Sequence, residues 1–358
     1  MTRSTSEPAT PPTPERPPAV SAVVVVYNTL EDRLHRCLTA LRASVGVTVE
    51  IIVVDNGSSR PVAAPLADRV LQRAANGGFA AGVNDGIRTA AAANWIAIVN
   101  DDAVVGPDLL ARCVVAIDAA GERCVAAAPK VLFDGDGAPH LDSCGLVVRP
   151  SGEAFSAGAG QPDIGQFDDD RTVLGPCMSA AVFRRDAFTT VGMLDERYFM
   201  YYEDVDWALR AHLSGHVTAF VPDAVATHEH AASTRSFGER RRYRLVQRNL
   251  LLCATANLSW RSVLSIWMGR FVAHGKALIK GPDHWSGVVS LLTAAAHTPS
   301  ALCARRVRRA AAILPDADVF AFADGLTPFV DATAYRPDGS DAARRAAEAR
   351  QAQARGRR

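Results

Sequence analysis

The stretch AVSAVVVVYN, residues 19–28, decides the fold of the first half of the chain. A run of β-branched residues without polar alternation is typical of a strand buried on both faces of a parallel sheet. Residues 49–59, VEIIVVDNGSS, repeat that pattern and end in Asp-Asn-Gly-Ser turn chemistry. Between these runs, LEDRLHRCLTALRAS (30–44) places leucines at helical spacing. Two buried strands joined by an amphipathic helix are therefore predicted.

The alternation of strand and helix continues beyond these runs. A helix that follows a glycine pair, a strand and a second helix are predicted in NGGFAAGVNDGIRTAAA (76–92), WIAIVNDDAVV (95–105) and PDLLARCVVAIDAAG (107–121). Such alternation through short links predicts an open α/β sheet, in which ligands bind at the carboxyl ends of the strands. The polar clusters 55–57 and 100–102 fall at two such ends and mark one edge of the sheet as the site.

Composition narrows the class of protein. The 358 residues are 48% hydrophobic, enough for a sizeable core without disulfides or a structural metal. A net charge of +1 argues against a general nucleic-acid binder, because no basic excess is present to displace counterions from phosphates. Seven cysteines without a C-x-x-C pair predict reduced thiols in a cytoplasmic protein.

The two ends of the chain differ in composition from the middle. Residues 1–19 are Pro-rich without an apolar h-region, so we expect a disordered tail rather than a secretory signal. Residues 313–358 are expected to form an irregular, Arg/Ala-rich tail. No run of about eighteen apolar residues stands out, so no membrane-spanning helix is predicted. Residues 251–271 are interrupted by Asn257, Arg261 and Arg270, and are expected to lie on a bilayer at most.

The sequence lacks the common phosphate-binding motifs, which limits how a nucleotide ligand could be held. The first strand is followed by YNTLED (27–32) instead of a dinucleotide-binding G-x-G-x-x-G, and no Walker-type phosphate loop is present. Asp101 and Asp102 at a strand end suggest a divalent cation that bridges carboxylate and diphosphate. The alternative for this pair is an N-cap for the helix that begins near Pro107. The alternative for Asp55 is a simple turn residue.

Several motifs in a fixed order resemble one family. VVVVYN, DNGSS, NGGFAAGVNDGI, IVNDD, GPCMSAAVFRRDAFTTVGMLDERYFMYYEDVDWALRAHLSGH and HEHAAST are together similar to the inverting nucleotide-sugar glycosyltransferases of family 2. They look most like its rhamnosyltransferase-like branch, which serves bacterial cell-wall and surface polysaccharide synthesis. The likeness covers about residues 20–260. It implies an α/β GT-A domain over 20–235, which we expect to be followed by a helical subdomain over 236–312.

The resemblance implies a nucleotide-sugar site along the strand ends. Asp55 is expected to bond the base or ribose, with glycines 77 and 78 giving the backbone room near the nucleotide and Asn84 facing inward. The residues implied to bind the nucleotide sugar are Tyr27, Asn28, Asp55, Asn56, Gly57, Gly78, Phe79, Asn84, Asn100 and Asp101.

The Asn100-Asp101-Asp102 triplet stands where the family has an Asp-x-Asp metal motif, with Asn100 as a departure. Asp102 is then the expected ligand of Mg²⁺ or Mn²⁺, and Asp101 the sugar or ribose contact. In the same family a histidine completes the metal site, and we choose His228 over His230 because it stands directly at a strand end. The H-x-H spacing also admits zinc, but no third ligand with zinc-type spacing is evident.

The stretch YYEDVDW (201–207) is implied to hold the catalytic base. Inversion needs a carboxylate that takes the acceptor hydroxyl's proton, while a metal takes up the charge of the leaving diphosphate. Asp204 is the expected base, with Glu203 as acceptor-binding partner or substitute. The N-terminus of a helix would favour the ionised form.

Neighbouring side chains receive roles from the same scheme. Tyr202 and Trp207 are expected to bind the acceptor by stacking on sugar, and core packing is their alternative. Asp206 is expected to be structural. Arg184 or Arg185 is expected to reach phosphate, with a solvated helix start as the alternative.

The last third carries a basic cluster (Arg235, Arg240, Arg241, Arg242 and Arg244) and three tryptophans (Trp260, Trp267 and Trp285). Docking on an anionic membrane surface and a role as a capping or homo-oligomer subdomain both fit this pattern. The sequence QRN (247–249) lacks the tryptophan of the Gln-x-x-Arg-Trp motif found in the family's processive synthases. We therefore expect transfer of one or a few sugars rather than polymerisation.

The leading functional hypothesis is transfer of L-rhamnose from dTDP-rhamnose to a hydroxyl of a glycan or polyprenyl-linked glycan acceptor. The enzymatic alternative uses another donor, a UDP-hexose or UDP-galactofuranose. A catalytically silent GT-A domain that acts as a binding or assembly subunit is the alternative from another class. The expected location is the cytoplasm, with peripheral contact to the inner face of the plasma membrane left open.

Overall fold

The computed structural model describes residues 17–90, 93–134, 138–229, 238–278 and 285–326. Most of the two predicted tails, residues 1–16 and 327–358, lies outside these ranges, as do Arg235 and His230. Nothing in the structure therefore bears on the choice between His228 and His230.

Twelve strands and nine helices are found in the described residues. The strands are β1 (Ala19–Val26), β2 (Thr48–Asp55), β3 (Arg69–Gln72), β4 (Trp95–Val99), β5 (Ala103–Val105), β6 (Cys124–Phe133), β7 (Leu141–Ser143), β8 (Leu146–Val148), β9 (Ala154–Ser156), β10 (Thr172–Val173), β11 (Ala180–Arg184) and β12 (Val217–His228). The helices are α1 (Glu31–Arg42), α2 (Phe79–Thr89), α3 (Leu109–Ala119), α4 (Ala187–Thr190), α5 (Glu203–Leu213), α6 (Glu239–Asn257), α7 (Trp260–Leu278), α8 (Ser286–Ala311) and α9 (Asp316–Ala321).

One mixed, mostly parallel sheet carries the first two thirds of the chain, in the order β10-β12-β6-β11-β4-β1-β2-β3. Strand β1 pairs with β2 in parallel register from Ala19 with Thr48 to Val26 with Asp55. Val20 to Val23 pair in the same direction with β4. These strands end at one edge, so the predicted α/β sheet and its polar edge are confirmed.

Strand β4 is shorter than the sequence indicated. It ends at Val99, the chain turns through Asn100 to Asp102, and β5 then leaves the line of β4 to pair antiparallel with β12. The apolar run is therefore two strands that meet different neighbours. The turn between them projects the acidic pair at the edge of the sheet.

Strand β11 corrects the expectation for two arginines. It lies antiparallel between β4 and β6, and its last residue, Arg184, pairs with Trp95 at the start of β4. Arg184 donates to the Cys124 carbonyl, and Arg185 donates to the Ala90 and Ala93 carbonyls. Both guanidinium groups thus lie at the opposite edge of the sheet from Asp102 and do not reach the site.

Three hydrophobic clusters hold the helices in place. Helices α1 and α3 cover one face of the sheet, and α2 packs on the other face with Phe183, Phe188 and Trp207. The third cluster joins β8 and α5 to residues of the C-terminal helices, including Leu250, Ile266 and Ala294. The helices after residue 238 are thus packed directly behind α5. The boundary at 235 and 236 stays a prediction, because residues 230–237 are not described.

Residues 313–326 do not form the irregular segment that we expected. They contain α9, and the backbone N–H groups of Ile313 and Leu314 both donate to the Leu213 carbonyl. Val319 and Leu326 are buried, and Arg149 donates to the Leu326 carbonyl. The few apolar side chains of this segment are enough to dock it against α5 and β8.

Helix α8 also departs from expectation. Within the described residues it is the one helix long and apolar enough to cross a membrane, with a mean hydropathy of 1.3 over its best 18-residue window, 22% of which is buried. It contains Pro299 and packs against α6 and α7. The seven cysteines are all free thiols, as predicted, and Cys303 on α8 is exposed.

Candidate active site

The turn after β2 is held together by its own side chains. Asp55 is fully buried, and its carboxylate accepts from the Ser58 N–H and from the Gln72 side chain, both at 2.9 Å. Asn28 accepts from the Ser59 N–H at 2.9 Å and thereby ties the end of β1 to the same turn. Both residues organise the edge of the sheet, whereas Tyr27 exposes 40% of its surface there.

The glycine-rich segment before α2 approaches another part of the protein. The Asn56 amide donates to the Gly78 carbonyl at 2.9 Å, and a Cβ on Gly57 would lie 2.5 Å from the backbone of residue 75. A Cβ on Gly78 would lie 2.2 Å from the Phe199 carbonyl oxygen, which accepts from the Phe79 N–H at 2.7 Å. The close approach that Gly78 permits is therefore to the loop before α5.

Asn84 does not face the strand ends as expected. It is buried in α2, and its amide donates to the Leu194 carbonyl and to Glu196 while its oxygen accepts from the Leu194 N–H. All of these bonds join α2 to the segment before α5. The inward-facing role is thus corrected to that of a clamp between two elements.

A buried chain of three side chains lies where β5 meets β12. His228 pairs in the ladder with Ala103, the residue after Asp102, so the ladder itself brings imidazole and carboxylate together. The Nε2 atom lies 2.9 Å from Asp102 Oδ1, and the Nδ1 atom lies 2.8 Å from Asp142 Oδ2. Burial lowers the pKa of His228, but the hydrogen bonds with both carboxylates outweigh it and raise the pKa to about 10.

Asp142 is a site residue that the sequence reasoning missed. It lies on β7, and that strand is only three residues long and pairs with β6. The local sequence HLDSCG carries no periodicity that would separate it from a loop. Only the tertiary contact with His228 reveals it.

The acidic turn has further neighbours. Helix α3 begins at Leu109 with Asp108 at its N-cap, so Asp101 and Asp102 do not cap it, and that alternative is wrong. Asn100 holds the turn through its backbone, which donates to the Ser179 carbonyl at 2.9 Å. Burial and the charge of Asp102 raise the pKa of Asp101 to about 6, against the opposing charge of Arg33.

A charged cavity adjoins this turn. It has a volume of about 470 Å³ and is lined by Leu30, Glu31, Asp32, Arg33, Arg36 and Glu229. Glu229 directly follows His228 and pairs with the guanidinium groups of Arg33 and Arg36. The start of α1 therefore brings two cations to within reach of the acidic edge.

The start of α5 is formed by strained backbone. Phe199, Tyr201 and Tyr202 have φ values of 65°, 69° and 74°, a region that residues with side chains rarely occupy. Such conformations cost on the order of 1–3 kcal/mol each and cluster at functional sites. Glu203 and Asp204 follow at once as the first two residues of the helix.

Both of these carboxyl groups have raised pKa values. Glu203 is buried, and its Oε2 atom has no hydrogen-bond partner among the described residues. Burial and the charge of Asp204 raise the pKa of Glu203 to about 8. Burial also raises the pKa of Asp204 to about 6, although its Oδ1 accepts from the Val205 N–H at 2.8 Å. The backbone N–H groups at the helix N-terminus favour the ionised forms as expected, but burial outweighs them and the pKa of each carboxyl group is raised.

The expected sugar-stacking wall is not formed by Tyr202 and Trp207. The Tyr202 hydroxyl donates to the Gly152 carbonyl at 3.0 Å, and its ring is buried. Trp207 is completely buried, donates to the Gly192 carbonyl at 3.0 Å and packs edge-on against Phe183. Both residues are core residues in this structure.

Asp206 is structural in the described conformation. It has no exposed surface, and its carboxylate accepts from four side chains on four separate parts of the chain: Tyr198, Arg210, Asn257 and Arg308. It therefore joins α5 to α6 and α8. Glu203 and Asp204 are therefore the remaining candidates for the catalytic base in this segment.

Helix α6 holds the strained loop from behind. The Asn249 amide lies within hydrogen-bond distance of the carbonyl oxygens of Tyr198, Met200 and Tyr201, at 3.0, 2.9 and 2.7 Å. Arg248 donates to the Tyr198 carbonyl at 3.0 Å. The QRN segment, which on sequence is only an incomplete motif, thus supports the loop before α5.

The charges of Asp142 and Asp204 both act on the loop before β11. Cys177 lies in the GPCMS segment before β11, and its thiol pKa is raised to about 12, first by burial and then by the charges of Asp142 and Asp204. The Asp102–His228–Asp142 chain and the start of α5 thus each contribute one carboxylate whose charge acts on the same thiol.

Comparisons with known proteins bear on the family and the fold. Residues 21–192 match the family described as Glycosyl transferase family 2. The chain is 29% identical to the N-acetylglucosaminyl-diphospho-decaprenol L-rhamnosyltransferase of Mycobacterium tuberculosis, over 60% of this chain and 78% of that protein. It is 37% identical to the succinoglycan biosynthesis protein ExoO of Rhizobium meliloti, over 32% of this chain and 34% of that protein. It thus spans only about a third of ExoO.

A third relative and one solved structure complete the comparison. The chain is 26% identical to the dTDP-rhamnosyl transferase RfbF of Shigella flexneri, over 58% of this chain and 68% of that protein. The crystal structure of GalNAc-T7 with UDP, GalNAc and Mn²⁺ superposes with a TM-score of 0.53 at 13% identity, over 75% of this chain and 52% of that one. This likeness concerns the fold alone and confirms the expected GT-A architecture.

The clamp from α6 leads to a first prediction. Replacing Asn249 by Ala removes the side-chain donor of the Met200 and Tyr201 carbonyls, whereas the Tyr198 carbonyl keeps Arg248 and the Met200 N–H as donors. We therefore expect a loss of about 1–3 kcal/mol in the free energy of unfolding. Hydrogen exchange at residues 198–204 should accelerate more than exchange in the sheet. Chemical denaturation and exchange mass spectrometry measure the two effects. The exposed Asn94→Ala variant is the control, and equal exchange in Asn249→Ala and wild type would refute the clamp.

Proposed function

Because the chain carries a glycosyl transferase family 2 domain, we propose that it is an inverting, metal-dependent glycosyltransferase with Asp204 as its catalytic base. The observation that carries this proposal is the pair Glu203 and Asp204, a buried and a partly buried carboxyl group with raised pKa values at the start of α5. Perturbed groups of this kind are typical of acid–base sites. The Asp102–His228 pair would provide the second half of the proposed transfer site.

The two carboxyl groups suit different tasks. With a pKa of about 6, Asp204 is ionised at neutral pH and close to the optimum for a general base. With a pKa of about 8, Glu203 keeps its proton at neutral pH and is able to donate a hydrogen bond. In the proposed reaction Asp204 takes the proton of the acceptor hydroxyl. The hydroxyl oxygen then bonds to the anomeric carbon, and the nucleoside diphosphate leaves from the opposite face, which inverts the configuration.

Asp102 and His228 are the proposed ligands of Mg²⁺ or Mn²⁺. Between two buried carboxylates, His228 needs a proton on each ring nitrogen. His228 and Asp102 would hold a divalent cation in exchange for one of these protons. Asp142 on Nδ1 then fixes the ring orientation, as such outer partners do in metal sites. Within the described residues no group of three His, Cys, Asp or Glu side chains is arranged around a metal. Diphosphate oxygens and water would complete the coordination, a pattern that Mg²⁺ favours. When bound, the cation takes up charge on the leaving diphosphate.

The proposed donor is dTDP-rhamnose, and the proposed acceptor is a glycan or a polyprenyl-linked glycan. The names of two relatives, the diphospho-decaprenol rhamnosyltransferase and the dTDP-rhamnosyl transferase, support this choice. A polyprenyl-linked acceptor would place the protein at the cytoplasmic face of the plasma membrane, in contact with it through the helices after residue 238.

The base leads to a prediction on pH. The ionised form of Asp204 is the active one, so transfer should rise with pH through about 6 and level off above it. Asp204→Asn should lower kcat by about 10³-fold. Glu203→Gln, which preserves an uncharged donor, should lose less than about tenfold.

The measurement is turnover of dTDP-rhamnose, UDP-glucose and UDP-galactofuranose with Mn²⁺ between pH 5 and 9. The best donor identifies the sugar. An Asp204→Asn variant as active as wild type, with the same pH profile, would remove Asp204 from the mechanism.

The metal site leads to a further prediction. Asp102→Ala should abolish Mn²⁺-dependent binding of nucleoside diphosphate, and Asp142→Asn should weaken Mn²⁺ binding by about 10- to 100-fold through loss of ring orientation. Electron paramagnetic resonance of free Mn²⁺ measures this without turnover. The exposed Asp118→Asn variant at the opposite edge is the matched control. Binding of nucleoside diphosphate that ignores Mn²⁺ in the wild type would instead favour the silent-domain alternative.

A further inference from the structure

Helix α7 is apolar on both of its sides. Val263, Ile266 and His274 face inward and are buried. A second set of large apolar residues points outward, with 45% to 67% of each surface exposed: Trp260, Leu264, Met268, Phe271 and Val272. Their spacing of three and four residues aligns them along one line of the helix. We call these five residues the outer stripe. A patch of this kind on one helix marks an interaction surface.

The beginning of α8 continues this surface. Gly287 lies against His274, since a Cβ at that position would be 2.2 Å from the imidazole, so the start of α8 packs on the end of α7. Trp285 and Leu292 are exposed to 54% and 66%. No Lys, Arg, Asp or Glu occurs from 285 to 304. The apolar surface therefore spans two helices.

The same helices carry a large excess of positive charge. Residues 239–311 contain eleven Arg and two Lys against Glu239 and Asp283, a net charge of +11 in a chain whose total is +1. Arg240, Arg241 and Arg244 are exposed at the start of α6. The ring of Tyr243, between them, meets His274 edge-on at 6.3 Å. The basic start of α6 is thus adjacent to one end of the outer stripe.

We propose that the outer stripe and the start of α6 form a docking face for an anionic lipid bilayer. Apolar side chains with tryptophan at one level and arginines beside them match the acyl boundary and the anionic headgroups. Another copy of the chain fits less well, because a symmetric contact would place two identical basic clusters together. Docking needs neither donor nor metal. It rests on the proposed function only in that a polyprenyl-linked acceptor is found in that bilayer.

One helix, α6, carries both the basic part of the docking face and the residue that holds the loop before the proposed base. Arg244 and Asn249 are five residues apart on α6, or about 7.5 Å along the helix axis. Asn249 contacts the loop that leads into Glu203 and Asp204. A face bound at the headgroup level therefore brings the start of α5 to the depth at which a sugar on a lipid diphosphate is found.

The test is flotation of the full-length protein with vesicles of phosphatidylcholine containing about 30% phosphatidylglycerol. Leu264→Ser/Phe271→Ser should reduce vesicle binding by about tenfold or more, as should Arg240→Gln/Arg241→Gln/Arg244→Gln. Val70→Ser/Val115→Ser, which alters two exposed valines on the sheet domain, should bind like wild type. Wild type should bind pure phosphatidylcholine more weakly and leave anionic vesicles in about 0.5 M NaCl.

Three results would overturn the proposal. The stripe variant floats like wild type; the wild type ignores vesicles and forms a dimer that the stripe variant abolishes; or the bound protein resists alkaline carbonate, which would indicate insertion of Ser286–Ala311. Both docking variants should still turn over soluble nucleotide sugar, because neither alters the proposed site. Vesicle binding without any donor turnover in the wild type would instead refute the proposed function and leave the docking face standing.

Discussion

The antiparallel pairing of β5 with β12 is the contact on which the site depends. It fixes Ala103 opposite His228 and so places imidazole against the carboxylate of the preceding residue, Asp102. Without that ladder the acidic turn after β4 would be a solvated loop, and His228 would be the end of an edge strand. The pairing of β7 with β6 adds Asp142 from a third direction. Two strand pairings between distant parts of the chain thus create one charged row of side chains inside the protein.

The start of α5, the second half of the candidate site, is stabilised by contacts from its surroundings. A helix start with one buried and one partly buried carboxyl group is unfavourable, and so are three residues with positive φ before it. The surrounding protein compensates for this with contacts that do not touch the carboxyl groups. Asn249 satisfies the carbonyls of the loop, and the Phe199 carbonyl accepts from the Phe79 N–H. The Asp206 carboxylate accepts hydrogen bonds from Arg210 of its own helix and from Arg308 of α8. Glu203 and Asp204 are left with the unmatched electrostatics that acid–base chemistry requires.

Local periodicity explains how much of this was predictable. Strands β1 and β2 and helices α1 to α3 follow from apolar spacing within about fifteen residues, and the edge that carries Asp55 and Asp102 follows from them. The resemblance to a known family added the start of α5. The failures share one cause, which is dependence on partners far along the chain. Arg184 depends on the direction of β11, Trp207 on Phe183, and Asn84 on Leu194, a residue 110 positions away. Asp142 had no local signal of any kind.

Helix α6 connects the two ends of the proposed function. Its first turns present arginines to solvent beside the apolar surface of α7, and its middle holds the loop before α5. The basic start of α6 and the clamp on the loop therefore belong to one continuous helix of nineteen residues. If the proposed docking face binds a bilayer, the element that contacts the headgroups is also the element that supports the loop before the proposed base.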